Sequence, residues 1–242
     1  KRNILEHCRI EYADSGVDAR FSTLNLKSVV IIRSHTAILV HDSVLQINGG
    51  SVGESETGIE AHDSELDVRD ATIANCQRGL VTNRSSVGLA TVKIKGNEQF
   101  GLLAEDCRVK ISSAVLTENG NGARFKGGEG QIQMTRFIRN RETALHLSGA
   151  RIKIQRCQFA DNSRDAIRLE DGRALVTGNA FNANKGFNLY NAGREDANAL
   201  LNWWGSIDQP LIAQKIYDAV SDPRVGSVQV FPWLTEKPPF IP

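Results

Sequence analysis

Residues 107–127 read CRVKISSAVLTENGNGARFKG, and residues 64–84 read SELDVRDATIANCQRGLVTNR. Laid over one another, the two stretches put apolar residues at the same places. Leu66, Val68, Ala71 and Ile73 match Val109, Ile111, Ala114 and Leu116, and a later copy carries Ile152, Ile154, Cys157 and Phe159 there. Alternation with period two marks strands. A further short strand closes each unit, carried by pairs such as Leu80 and Thr82, Ala123 and Phe125, and Ile167 and Leu169.

Extended outward, the same cut starts units at Lys1, Ser22, Ser43, Ser64, Ser85, Cys107, Gly128, Ala150 and Gly172, in steps of 21 or 22 residues. Three short strands per unit and no helix fit one turn of a right-handed parallel β-helix. Each strand would pair with its copy one turn above at ~4.8 Å, and about ten turns would make a rod ~45–50 Å long. A leucine-rich repeat needs a convex helix and an LxxLxLxxN signature, and a propeller needs blades of ~40 residues. Neither pattern is present.

The thirteenth residue of five consecutive units is Asn97, Asn119, Asn140, Asn162 and Asn184. An amide both donates and accepts, so stacked copies can bond one another along the axis. An asparagine ladder is therefore expected in the later half. Ser34, Ser55 and Cys76 hold that place before it. Cys8 and Cys157 take the inward eighth position, where other units have Ala71, Ala114 and Thr135, and read as small core residues. They stand seven units apart and cannot pair. Cys76 and Cys107 fall at different corners, so no disulfide is expected.

The 242 residues carry a net charge of +1. There is no basic excess to neutralise phosphates, so nucleic acid is not an expected partner. No apolar run reaches the ~18–20 residues of a membrane span. The repeat is already running at Lys1, and an uncapped solenoid end exposes strand edges. Additional turns or a domain are expected upstream of Lys1 in the parent protein.

After Leu201 the pattern changes. Asp208 as N-cap, Pro210, and the spacing of Leu211, Ile212, Ile216 and Tyr217 predict a helix over 209–220. Asp222-Pro223 ends it, and Val228, Val230, Phe231 and Trp233 form a last extended piece. Residues 1–201 thus read as the β-helix, and 202–242 as a capping segment of the same domain with one α-helix. Trp203 and Trp204 must alternate faces, so at least one packs inward.

The run Asn202-Trp203-Trp204-Gly205, then Asp222-Pro223 and Pro232-Trp233-Leu234, resembles the terminal segment of bacterial and archaeal surface or secreted proteins with right-handed parallel β-helix repeats. The stretch from Leu5 to Ala13 is similar to their turns. The resemblance implies the fold and an extracytoplasmic location. That group is similar in fold to polysaccharide lyases, hydrolases and epimerases, and to many proteins without known activity.

In such enzymes substrate lies along the outer face of the first sheet. The outward residues there include Glu65, Asp67 and Arg69, then Arg108 and Lys110, Glu129 and Gln131, and Arg151 and Lys153. Arg108, Lys110, Glu129, Gln131, Arg151 and Lys153 are the expected ligand-binding set. The same residues also suit a solvated face with cross-strand ion pairs. His41-Asp42 and His62-Asp63 recur in adjacent turns, so the two imidazoles should stack. His41, His62 and Asp63 are the candidate metal or general-base group. Asp before a small residue at Asp42, Asp63, Asp106 and Asp171 is equally ordinary turn chemistry, and the paired acids Glu105-Asp106 and Glu170-Asp171 read the same way.

No catalytic cluster converges. The expected function is a non-catalytic β-helix module of a larger secreted or envelope protein, contributing carbohydrate contact or scaffolding, with a polysaccharide as partner and no cofactor. The alternative is a polysaccharide lyase or hydrolase acting on an acidic glycan in the first-sheet groove. Its catalytic candidates are Glu65, Asp67, Arg69, Lys110 and Lys153, with calcium bound by the acids.

Overall fold

The computed structural model describes residues 3–239; Lys1, on which the upstream expectation rests, lies outside them. The unit at 107–127 shows how each turn is built. Strands Arg108–Ser112, Val115–Thr117 and Asn121–Lys126 follow one another with a corner between each. The strands pair in parallel with their copies on neighbouring turns. Val109, for example, faces Val87 on one side and Gly130 on the other. Repetition gives three parallel ladders and a right-handed parallel β-helix of about nine turns, the hand that parallel crossovers take. The third ladder holds ten strands among the described residues. In the early turns the first corner barely interrupts pairing, and Thr23–Ile32 and Val44–Gly53 each run through it as one strand.

The corners have one backbone solution. Nearly all contain a residue in the left-handed region, such as Asp63, Ser113 and Glu118. Asp42, Asp63, Asp106 and Asp171 all adopt it, with φ between 46° and 51°, so the turn role expected of them holds. Asp tolerates this conformation better than most residues. The next residue is turned inward, and at the polar positions its N–H donates to the side chain of its copy one turn on. Ser43 donates to Ser64 Oγ at 3.1 Å, and Ser64 to Ser85 Oγ at 3.0 Å.

The same device makes the asparagine ladder. Asn97 Nδ2 donates to Asn119 Oδ1 at 2.8 Å, and the series continues from Asn119 to Asn140, Asn162 and Asn184 at 2.8–3.2 Å. Backbone N–H groups join the same oxygens, and the free amide hydrogens reach inward carbonyls such as Leu116 O. Ser34, Ser55 and Cys76 precede it in the column as expected; Ser34 N donates to Ser55 Oγ and Cys76 N to Asn97 Oδ1. A second, shorter amide column had no counterpart in the sequence reading. Cys157 N donates to Asn179 Oδ1, and Asn179 Nδ2 to Asn202 Oδ1, at the corner between the first and second sheets.

The interior is filled by like on like. Leu66, Ile73, Leu80 and Ile111 are fully enclosed, and in the last turns aromatics take over. Phe137, Phe159, Phe181 and Trp204 stack at centroid spacings of 4.9, 5.2 and 4.7 Å. Trp204 is therefore the inward ring of the Trp pair, and Trp203 lies half-buried.

The helix is shorter than expected. It spans Gln209–Ala213 only, and Asp208 at its N-cap makes no side-chain bond to it. Ile216–Tyr217, expected in its second half, instead pairs with Leu189 and Tyr190 on the third ladder. The apolar spacing that suggested helix serves a strand, because burying Ile216 on an open ladder also satisfies its backbone. Val228–Gln229 pairs likewise with Ala197 and Asn198. Ladder pairing thus runs on past Leu201.

All four cysteines are free. Burial pushes the Cys76 thiol up to about 11 and that of Cys157 up to about 12, and raises Cys107 as well. Only Cys8 is half-exposed. The thiolate is the nucleophile. Iodoacetamide at pH 8 should modify one thiol in the folded chain, at Cys8, and all four after denaturation; intact mass and peptide mapping decide this. Asn140→Ala leaves Asn119 without its acceptor and should cost about 3 kcal/mol in urea unfolding, whereas exposed Asn198→Ala should change stability by less than ~0.5 kcal/mol.

Candidate functional site

The third ladder carries an outward column that the first does not match. Arg124 faces His146, His146 faces Arg168, Arg168 faces Tyr190 and Tyr190 faces Tyr217 on successive strands. The Arg168 guanidinium lies 4.4 Å from the Tyr190 ring centroid. Tyr190 and Tyr217 stack at 4.2 Å with their planes 4° apart. Phe187 meets both edge-on at 5.5 and 5.6 Å. A planar cation over aromatic rings at these distances is an attractive pair.

Beside this column a cleft of about 690 Å³ opens. It exists because the later turns start their third strand late. Leu145–Ser148 and Ile167–Glu170 have four residues where Asn121–Lys126 has six. The residues released form short loops that stand up as walls, carrying Glu142, Thr143, Ser163, Arg164, Asp165, Lys185 and Phe187. Lys215 fixes the last loop by donating to the carbonyls of Asn184, Lys185 and Gly186 at 3.0–3.3 Å. Asp165 accepts from the Phe187 N–H at 2.9 Å.

Charge in the cleft is largely paired. Arg164 lies 3.1 Å from Glu142, and Arg168 2.8 Å from Glu170. His146 Nε2 stands 2.9 Å from Glu170 Oε2 but off the line of a hydrogen bond. Burial lowers the His146 pKa from its ordinary value; Glu170 opposes this, and the charges of Arg124 and Arg168 add to it. His146 is thus a neutral ring near pH 7, able to donate and accept. Burial works against ionisation of Glu170, yet its bond from Arg168 and the neighbouring His146 hold it below the usual carboxylate range.

The first-sheet candidates lie as expected on one outward face, but strung out. Lys110, Gln131 and Lys153 share one column, and Arg108, Glu129 and Arg151 the next. Glu65, Asp67 and Arg69 sit two turns earlier, beyond Gly88. Catalytic candidates Asp67 and Lys153 are thus four strands apart, ~19 Å at sheet spacing. Arg69 pairs with Asp67 at 2.9 Å, and Arg108 stands 3.5 Å from Glu129. His41 and His62 stack at 4.9 Å with 12° between planes. His62 Nε2 contacts Glu60 at 3.0 Å, while Asp63 is held below the usual carboxylate range by its hydrogen bonds from Arg84. Among the described residues no three His, Cys, Asp or Glu side chains are grouped to hold a metal ion. No helix is long and apolar enough to cross a membrane among those residues.

A family model described as "right handed beta helix region" matches residues 57–202. The chain belongs to that family. Among solved structures it is similar to a double mutant of the periplasmic alginate epimerase AlgG, with 10% identity and a TM-score of 0.51 over 97% of this chain and 74% of that one. At that identity the likeness concerns the fold. Two trypsin-treated forms of QnrB1, a plasmid-mediated fluoroquinolone resistance protein, also match at 10% identity, with TM-scores of 0.27 and 0.28 over 93% and 96% of this chain and 93% and 92% of theirs. No curated protein sequence matches.

Within this β-helix the third-ladder cleft escaped the sequence reading, which looked to the first sheet. A signal was present. Arg124, His146, Arg168 and Tyr190 succeed one another at a constant interval of 22 residues. Glu170, read as a turn residue, proves to be a partner of both His146 and Arg168.

A histidine with a lowered folded pKa stabilises the fold above the unfolded value of about 6.5, and that contribution is lost as pH falls. His146 should titrate below 6.5 by NMR. The stability advantage of the wild type over His146→Gln should shrink as pH drops from 7 to 5.

Proposed function

We propose that this chain is a non-catalytic, carbohydrate-binding β-helix module of a larger extracytoplasmic protein, and that the third-ladder cleft is where the glycan sits. The observation that carries the reading is the cleft's lining. Asn121, Thr143, Ser163 and neutral His146 both donate and accept, as sugar hydroxyls do. Paired charges beside them fix orientation without leaving a large net field. Phe187 supplies an apolar surface for a sugar's C–H face. The walls are preformed, which reduces the ordering cost of binding. A fold shared with a periplasmic alginate epimerase supports both the ligand class and the location.

The test is retention on a glycan array holding neutral and acidic oligosaccharides, then calorimetry on whatever is retained. At least one glycan should bind saturably. Phe187→Ala should weaken it about tenfold, or ~1.4 kcal/mol, and Arg164→Ala several-fold, with the fold intact by circular dichroism. Retention of no glycan overturns the reading, as does binding that both variants leave unchanged.

A further inference from the structure

A second concavity lies on a different side of the rod, at the corner between the first and second sheets. Two adjoining hollows of about 420 and 430 Å³ share Arg156, Thr177 and Gly178. One is walled by Gln133, Met134 and Gln155, the other by Leu201, Leu234 and the prolines Pro238 and Pro239. Together they form one groove along the axis, because Gln133, Gln155 and Thr177 occupy equivalent places on three consecutive strands. The apolar wall is built in. Leu201 N donates to Pro232 O at 2.7 Å, and Leu234 N to Asn202 O at 2.9 Å, holding the C-terminal stretch against the last turns.

The polar side is unusual for this molecule. Around the rod charged side chains are commonly paired between neighbouring turns, as in Arg84 with Asp63, Lys126 with Glu105, Arg139 with Glu118 and Arg173 with Glu195. In the groove the side chains of Gln133, Gln155, Thr177 and Arg156 make no hydrogen bond or ion pair with any described residue. Lys110 and Lys153 also lack partners among the described residues, but they stand on an open sheet with no facing wall.

We infer that this groove is a second binding site, independent of the third-ladder cleft, for a neutral, hydroxyl-rich glycan chain lying along the rod axis. Amides and a hydroxyl repeat at the sheet spacing of ~4.8 Å, each able to give and take a hydrogen bond, and suit the repeating hydroxyls of a polymer. Leucine and proline opposite them suit the C–H faces of its rings. Among the described residues no carboxylate lines the groove to select a cation or repel the chain. An extended peptide fits less well. It would bind by adding to a free strand edge, and here the strand edges are consumed by the turns above and below.

The experiment is backbone-amide NMR of the full chain with three neutral probes in turn, namely cellohexaose, xylohexaose and mannohexaose. At least one should shift the amides of Met134, Arg156 and Gly178 saturably. Gln133→Ala with Gln155→Ala should weaken that site at least tenfold while leaving any effect at Phe187 unchanged. Leu234→Ala should weaken it from the apolar side. Shifts at the cleft alone overturn this site and leave the cleft reading standing; saturable shifts at the groove support this site, while the cleft reading is decided by the array, which also holds acidic glycans. Absence of groove shifts with all three probes at millimolar concentration overturns it, as does binding indifferent to the glutamine substitutions.

Discussion

A chain that must turn three times in 22 residues and land in register each time has to enter the left-handed region once per corner. That requirement governs this molecule. For most residues it costs about 1–2 kcal/mol, and most of these corners are not glycine. The cost is tolerated because the residue after each corner is over-determined. It points inward, and at many corners its N–H is hydrogen-bonded to the side chain of its copy one turn away. Serines do this at one corner in the early turns, asparagines at another in the later turns, and Asn179 with Asn202 at the third. Each corner column thus uses this bond over part of its length, and elsewhere, as at Val29, Ala71, Val92 and Ala114, the inward residue is held by core packing instead.

Most of the fold was legible because a solenoid writes its geometry into spacing. Inward residues at fixed positions, the asparagine column and the stacking of His41 on His62 can all be had by counting. The aspartates before small residues announced the corners. The end of the chain was harder. Leu211, Ile212 and Ile216 have a spacing shared by a helix face and by a short helix leading into a strand, and only the open ladder beside Leu189 decides between them. Asn179 and Asn202 were hidden because their interval of 23 residues steps off the common unit.

The candidate site was less legible than the fold for a reason of dimension. Arg124, His146, Arg168 and Tyr190 are evenly spaced, so the column could be found. The cleft beside it could not. It depends on strands beginning two residues late, on Lys215 reaching back to three carbonyls, and on Phe187 meeting two tyrosines from different turns. Such features arise between the repeat and the segments that depart from it, and the departure has no periodicity of its own. Conversely, two of the residues most conspicuous on the first sheet, Asp67 and Arg69, are accounted for by their ion pair with one another.

The aromatic stack from Phe137 to Trp204 and the asparagine ladder occupy the same half of the rod, while the earlier half relies on aliphatic columns and single serine bonds. Each turn is held only by its two neighbours, so the molecule has a mechanical polarity. Under tension along its axis the early turns are the compliant end, peeling one strand triplet at a time, and the amide-and-aromatic half acts as the stop at which peeling stalls. Both concavities are built on that stiff half. Their walls would keep their shape under a load that had already begun to unwind the other end.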